Sequence, residues 1–320
     1  VNSQTKFLIS MLFIVVIILC VVLTRFYFDV TKNTENSTRE NRVESVVRSF
    51  GDIQVFRSDG GSYGLLNADL SVLVEPDWLE ILDVTEKLVL VSARMDNQVL
   101  TGGIDYEENI ILPFVFRSFQ DLGDGWHLGT VAEDGRCIVY DKNYQPVFQE
   151  SFVSVTYENH VMTLRNETEQ FVYDMTDSVP VLQSAEFGFP VSDTLSLNWK
   201  ISNRFYLLSL SAADLRRINQ IAADYLQMLR ENNFRNLAQV TTSEYFSTLV
   251  KSDIMRGLEP ESISNFSFSR RESGAYDFTF QIACRRAQER KELKLHLYLR
   301  KNAENQMILT VADISSAAEE

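Results

Sequence analysis

The side chains able to do acid–base, metal or nucleophilic chemistry are few and scattered. Histidine occurs three times. His127 sits in Trp126-His127-Leu128-Gly129, His160 beside Asn159, and His296 in a run of alternating leucines. No two stand at a spacing that would bring two imidazoles to one metal, so a histidine-based metal site is not expected. Asp121, Asp124, Glu133 and Asp134 gather in one short stretch but lack the ligand order of a calcium loop, and they read as solvated turns. Walker-type loops and the H-E-x-x-H pattern do not occur. By residue type the acid–base pairs on offer are Asp277 with His296, and Tyr225 with Asp224. Asp277 and His296 alternate with apolar stripes, which places them on a face toward water. No catalytic group, cofactor or metal is expected, and binding becomes the better reading. Flat rings near turns suit it: Tyr63, Trp78, Trp126, Tyr144 and Trp199. Tyr225, Tyr245, Phe266 and Tyr276 read first as core and second as the lining of a small-ligand pocket.

The elements that must position these residues begin with a lipid-length run. Phe7 to Thr24 holds eighteen residues without a charge. As a helix it would span about 27 Å, close to the apolar thickness of a bilayer. It ends in Val22-Leu23-Thr24-Arg25 with no small-residue cleavage pair, so an uncleaved signal anchor over 7–28 is expected, after a short tail 1–6. Phe26, Tyr27 and Phe28 fit an interfacial aromatic belt. Lys6 favours an inside amino end, whereas Arg25, Lys32, Arg39, Arg42 and Arg48 count the other way. The signal-anchor layout places the carboxy-terminal part outside the cytoplasm. Residues 29–50 are polar and mixed in charge, as in a stalk. The net charge of −14 excludes a nucleic-acid binder, which needs a basic stripe. With only Cys137 and Cys284 beyond the anchor, a disulfide scaffold is excluded as well.

From 51 to 210 short apolar runs alternate with polar turns. Asn67, Asp105, Asp141 and Asp174 each follow an apolar pair, at offsets of 38, 36 and 33 residues. That recurrence predicts a β-repeat array, propeller-like or open and twisted, with about four strands per unit. After 210 the period changes. Ser211-Ala212-Ala213-Asp214 reads as a helix cap, and Leu215, Ile218, Ile221, Ala222, Tyr225, Leu226 and Leu229 form one helical face. Two shorter helices are expected over 234–240 and 243–254. Alternating strands then follow through Phe266 and Phe268, Tyr276 to Cys284, Leu293 to Leu299, and Met307 to Ile314. The expected domain over 211–320 is α+β, three helices on a curved antiparallel sheet.

Two resemblances attach to these residues. Asp59-Gly60-Gly61, Tyr63-Gly64-Leu65-Leu66 and Leu73-Val74-Glu75-Pro76 resemble a unit of the bacterial WG-repeat family, with tyrosine in place of the name-giving tryptophan. Gly103-Ile104-Asp105, Ile110-Ile111-Leu112-Pro113, Asp134-Gly135 and Val139-Tyr140-Asp141 continue the likeness, and Val172-Tyr173-Asp174 ends it. The order of elements after 211 resembles the NTF2-like superfamily. Together they imply a non-catalytic, membrane-anchored binding or scaffold protein of the bacterial cell envelope. Its array would meet a protein, peptide or glycan, and its last domain would hold a small ligand or form a homodimer. An NTF2-like enzyme and an extracytoplasmic sensor are the alternatives.

Overall fold

The computed structural model describes residues 43–193, 195–231, 235–251, 259–286 and 289–316. The expected signal anchor and most of the stalk lie outside these residues. Among the described residues no helix is long and apolar enough to cross a membrane. The chain divides into two compact units at Phe152 and Val153.

The first unit is all β. Strands β1 (Val43–Phe50), β2 (Ile53–Ser58), β3 (Tyr63–Leu66) and β4 (Val72–Trp78) form a four-stranded antiparallel sheet in sequence order. Strands β5 (Glu80–Val84), β6 (Val89–Met95), β7 (Gln98–Ile104), β8 (Ile110–Gly123), β9 (Trp126–Val131) and β10 (Cys137–Tyr140) form a six-stranded one. Val55, Leu65, Val74, Trp78, Ile81, Val91, Ile104 and Phe114 make a shared core, in which Trp78 stacks on Phe114 at 5.6 Å and 3°. Burying each such side chain stabilises by roughly 1.5–3 kcal/mol. These sheets correct the expected array of like blades. They are open, they differ in strand number, and nothing closes them into a propeller. The physical reason is β8. It runs 14 residues, pairs with β7 through its first half and with β9 through its second, and so fuses two would-be units into one sheet.

A five-residue hairpin turn recurs through both units. In each case the first amide donates to the fifth carbonyl, and the fourth amide donates to the first carbonyl, as at 58–62, 67–71, 105–109, 141–145, 271–275 and 302–306. The fourth residue lies in the left-handed region: Gly61, Leu70, Glu108, Tyr144, Gly274 and Asn305. This is a type I turn closed by a left-handed bulge residue. Asp105 Oδ1 reinforces its turn by accepting from the amides of Glu107 at 3.0 Å and Asn109 at 2.7 Å. Asp141 and Asn302 do the same in theirs. Asp174 does not join this set, because the amide of Met175 returns to His160 and a longer connection follows.

The second unit begins with a five-stranded antiparallel sheet: β11 (Ser154–Glu158), β12 (Val161–Arg165), β13 (Glu169–Asp174), β14 (Val181–Pro190) and β15 (Ser196–Ile201). A single turn, α1 (Arg204–Leu207), leads to the long helix α2 (Ala212–Glu231). Ser211 and Asp214 cap α2 reciprocally, the Ser211 Oγ accepting from the Asp214 amide at 3.1 Å and Asp214 Oδ2 from the Ser211 amide at 2.8 Å. A 3₁₀ turn (Leu237–Gln239) and α3 (Ser243–Lys251) precede a four-stranded meander, β16 (Glu259–Arg270), β17 (Tyr276–Arg286), β18 (Glu289–Lys301) and β19 (Met307–Ser316). The expected NTF2-like cone of three helices is therefore incorrect. The four strands run as pure β without an intervening helix. The one long helix is not theirs alone, since its buried face also packs on β14 of the preceding sheet. A helix shared in this way cannot floor a separate cone.

Candidate functional site

An open trough of about 590 Å³ lies in the second unit. The β12–β13 turn, the middle of β14, Asn198 to Lys200 of β15, and Phe266 of β16 border it. Cross-strand register builds one polar row on the sheet's outer face. Arg165 pairs with Gln170, Gln170 with Glu186, and Glu186 with Lys200. Arg165 Nη2 donates to Gln170 Oε1 at 2.6 Å, and Lys200 Nζ to Glu186 Oε1 at 2.5 Å. The opposite face carries Phe171, Phe187 and Trp199, with Phe187 and Trp199 stacked at 4.8 Å. Helix α2 fixes this layer from beneath. Trp199 Nε1 donates to Asn219 Oδ1 at 2.8 Å, Arg216 Nε meets Glu169 Oε2 at 2.7 Å, and the Arg216 guanidinium lies over the Phe171 ring.

The edge of β15 has a determinate polarity. The Gly188 amide donates to the Thr168 carbonyl, away from β15. A strand residue sends its N–H and C=O to the same side, so the facing pair Gly188 and Asn198 is a non-hydrogen-bonded pair. Asn198, and by alternation Ser196 and Lys200, must then direct their backbone groups to the outer side of β15. Pro190, opposite Ser196, has no N–H to contribute and fits the same phase. β15 pairs only with β14, and the trough lies along the stretch that bears these outward groups.

The sequence-derived candidates are placed differently. Trp78, Trp126, Tyr144 and Trp199 are all buried, at 5–8 % exposure, and Tyr63 is half-buried. Their rings fill the core, so an exposed aromatic binding surface on a repeat array has no structural basis. Tyr225 is fully buried, and burial pushes its phenol well above the ordinary value. Tyr245 donates to the Ala312 carbonyl at 3.1 Å, and Tyr276 to Ser209 Oγ at 3.0 Å. Tyr225 and Tyr245 also share a side-chain hydrogen bond, while Phe266 borders the trough. Asp224 is adjacent to Tyr225 in sequence but turns to Gln220, and burial raises its carboxyl. Asp277 and His296 do meet. His296 Nδ1 is 3.4 Å from both Asp277 oxygens and 3.1 Å from Thr279 Oγ1, within a side-chain ladder across β17 and β18. No group of three or more metal-ligating side chains occurs among the described residues.

No family model matches the chain, and no curated protein matches it. A solved structure of Kluyveromyces lactis Hsv2p aligns over 86 % of this chain and 98 % of its own, at 8 % identity and a TM-score of 0.25. A score that low supports no inference about fold or function. The open sheets and the helix-free run of the last four strands set aside the WG-repeat and NTF2-like resemblances, and with them the reading as a bacterial cell-envelope protein of either kind. The envelope scaffold, the ligand-holding or dimerising last domain, and the NTF2-like enzyme fall with the folds on which they stood.

Two features escaped reading from residue types. Gly60-Gly61-Ser62-Tyr63-Gly64 spells G-x-S-x-G, but it forms the β2–β3 hairpin turn and not the strand-to-helix elbow a nucleophile needs. In the first unit His127 lies between the rings of Tyr144, at 4.8 Å, and Phe119, at 5.9 Å, with Asp121 3.9 Å from its Nδ1. They border a cavity of about 20 Å³, room for about one water. Burial pushes the His127 imidazole below its usual range, while Asp121, Asp83 and Asp141 pull it up. That space is too small for an organic substrate.

Proposed function

We propose that this chain is a membrane-tethered protein whose second unit recognises an extended polypeptide by strand addition at β15. The uncharged run from Phe7 to Thr24 supports the tether, with the bulk of the chain on the outer side. The acidic balance argues against a nucleic-acid partner. One observation carries the recognition: the outward backbone groups of Asn198 and Lys200 border an open trough. An incoming strand can satisfy them as a further member of the sheet.

Most of the other sheet edges are guarded in ways β15 is not. β1, β5 and β16 carry register shifts, which bend an edge away from a new partner. β4 and β16 hold Pro76 and Pro260. The outer side of β10 exchanges both backbone bonds with Phe152 at Cys137, and β19 is met by Val240 and Thr242 at Leu309. β11 is regular but short, and the trough borders β15. The pairing of β15 with β14 runs from Ser196 to Ile201 without a shift or a proline in β15.

Asn198→Pro tests the proposal, because it removes one outward N–H and leaves the bonds to β14 intact. With the full chain in detergent micelles, short blocked peptides rich in β-branched residues are expected to protect the Asn198 and Lys200 amides from hydrogen exchange. Asn198→Pro should abolish binding and Asn198→Ala retain it. Equal binding by the wild-type and proline variants would refute strand addition.

A further inference from the structure

We infer that the strand β15 accepts carries an acidic residue beside Lys200, an apolar residue against Trp199 and Phe266, and an uncharged polar residue beside Asn198. This rests on the strand-addition reading and narrows it to a ligand class. The row Arg165, Gln170, Glu186, Lys200 crosses four strands in register on one face and ends on a cation at the open edge. The Lys200 side chain is 57 % exposed and touches one carboxylate, that of Glu186, on its inner flank. A residue on an added strand would stand directly across from its outer flank. Opposite charges across a strand pair attract, and like charges repel.

The carboxylates near the trough do not cancel this preference. Glu186 is held by Lys200, and Glu169 is held beneath the sheet by Arg216. Glu167 stands on the β12–β13 turn, two strands from the edge. One step along β15 the alternation brings Trp199 to the inner face, where its ring meets Phe278 at 4.8 Å and Phe266 stacks on that same Phe278 at 6.1 Å. The residue of the incoming strand facing that layer must be apolar. A further step brings Asn198, whose uncharged side chain lies over Gly188 of the facing strand, so no charge awaits a partner there.

The test uses the full chain and blocked peptides that alternate valine with one variable residue, which is glutamate, threonine or lysine. The glutamate peptide should bind about threefold tighter than the threonine peptide and about tenfold tighter than the lysine peptide, from the usual worth of a cross-strand charge pair. The preference should shrink in high salt. The paired exchange Glu186→Lys with Lys200→Glu keeps the internal ion pair and reverses the edge charge, so it should invert the order. If all three peptides bind equally and Asn198→Pro still abolishes binding, the charge assignment is overturned and strand addition stands. If Asn198→Pro leaves binding unchanged, both fall. A neutral oligosaccharide that binds while no peptide does overturns both in favour of a glycan.

Discussion

The hydrogen bond from Trp199 to Asn219 is the joint that seats β15 on α2, and its removal has a calculable effect. The indole and the amide are 5 % and 8 % exposed and 2.8 Å apart, so water cannot replace a lost partner. Asn219→Ala leaves the indole N–H buried without an acceptor, which costs about 1–3 kcal/mol. Alanine is the better helix former, returning about 0.5 kcal/mol. The net loss is about 1–2 kcal/mol, or a drop of roughly 2–8 °C in the melting of a unit this size. Trp199→Phe removes the donor and adds its own packing loss, so a double-mutant cycle is needed to isolate the bond. The coupling should be about 1 kcal/mol. Urea titration with hydrogen-exchange mass spectrometry on peptides from β15 and α2 confines the readout to the second unit, away from Trp78 and Trp126. A coupling below about 0.3 kcal/mol would show that the bond does not hold strand to helix.

Other expectations follow from particular residues. Leu70 sits at φ 68° with 63 % of its surface exposed. Leu70→Gly should stabilise the first unit by about 0.5–1 kcal/mol in thermal melts, the relief of left-handed strain exceeding the added chain entropy. A Cβ on Gly64 would lie 2.6 Å from the Val74 carbonyl oxygen, so Gly64→Ala should destabilise the same unit by about 1–3 kcal/mol in urea titrations. His127 has its folded-state pKa lowered by burial, so the unfolded chain takes up its proton first. Its contribution is whole above the unfolded value of about 6.5 and is lost as pH falls below it. His127→Phe should flatten the fall in melting temperature between neutral and acidic pH, and an unchanged slope would contradict the assignment. Burial pushes the Cys284 thiol up to about 11, so a thiol reagent at mildly alkaline pH should modify it only as fast as the second unit opens.

How much of this was legible in residue types depends on whether the governing contact is local. Asp105 and Asp141 announced their turns because an Asx side chain accepts from amides two and four residues on, while Asn67 closes its turn by donating Nδ2 to Ser71 Oγ. Leu70, Glu108 and Tyr144 gave no sign of their left-handed backbone, since no glycine marks it. The repeat spacing was real but misleading. Nothing in Ile110 to Gly123 reveals that one strand changes partner at Phe116 and merges two units. The helical stripe of α2 was plain, yet a stripe does not say whether one sheet or two will cover it. Trp78, Trp126 and Trp199 looked available because they stand near turns, and strand alternation turned each ring inward.

The candidate site was illegible for a deeper reason. It consists chiefly of main-chain groups, whose direction is set by the Gly188 amide reaching Thr168 across the sheet. Residue type enters at three places only: Pro190 is compatible with that phase, Gly188 leaves room for the Asn198 side chain, and Lys200 puts a charge at the rim. An enzyme must place particular side chains in its centre and so writes them into its sequence. A strand acceptor needs a sheet edge that is regular, held firmly from below and left open. Most of that requirement is met by what β15 lacks, a bulge, a proline and a backbone-paired outer neighbour, β16 lying close without bonding to it. The Trp199–Asn219 bond supplies the rest, since an edge that shifted with each thermal fluctuation of α2 could not hold the register that places an acidic residue beside Lys200.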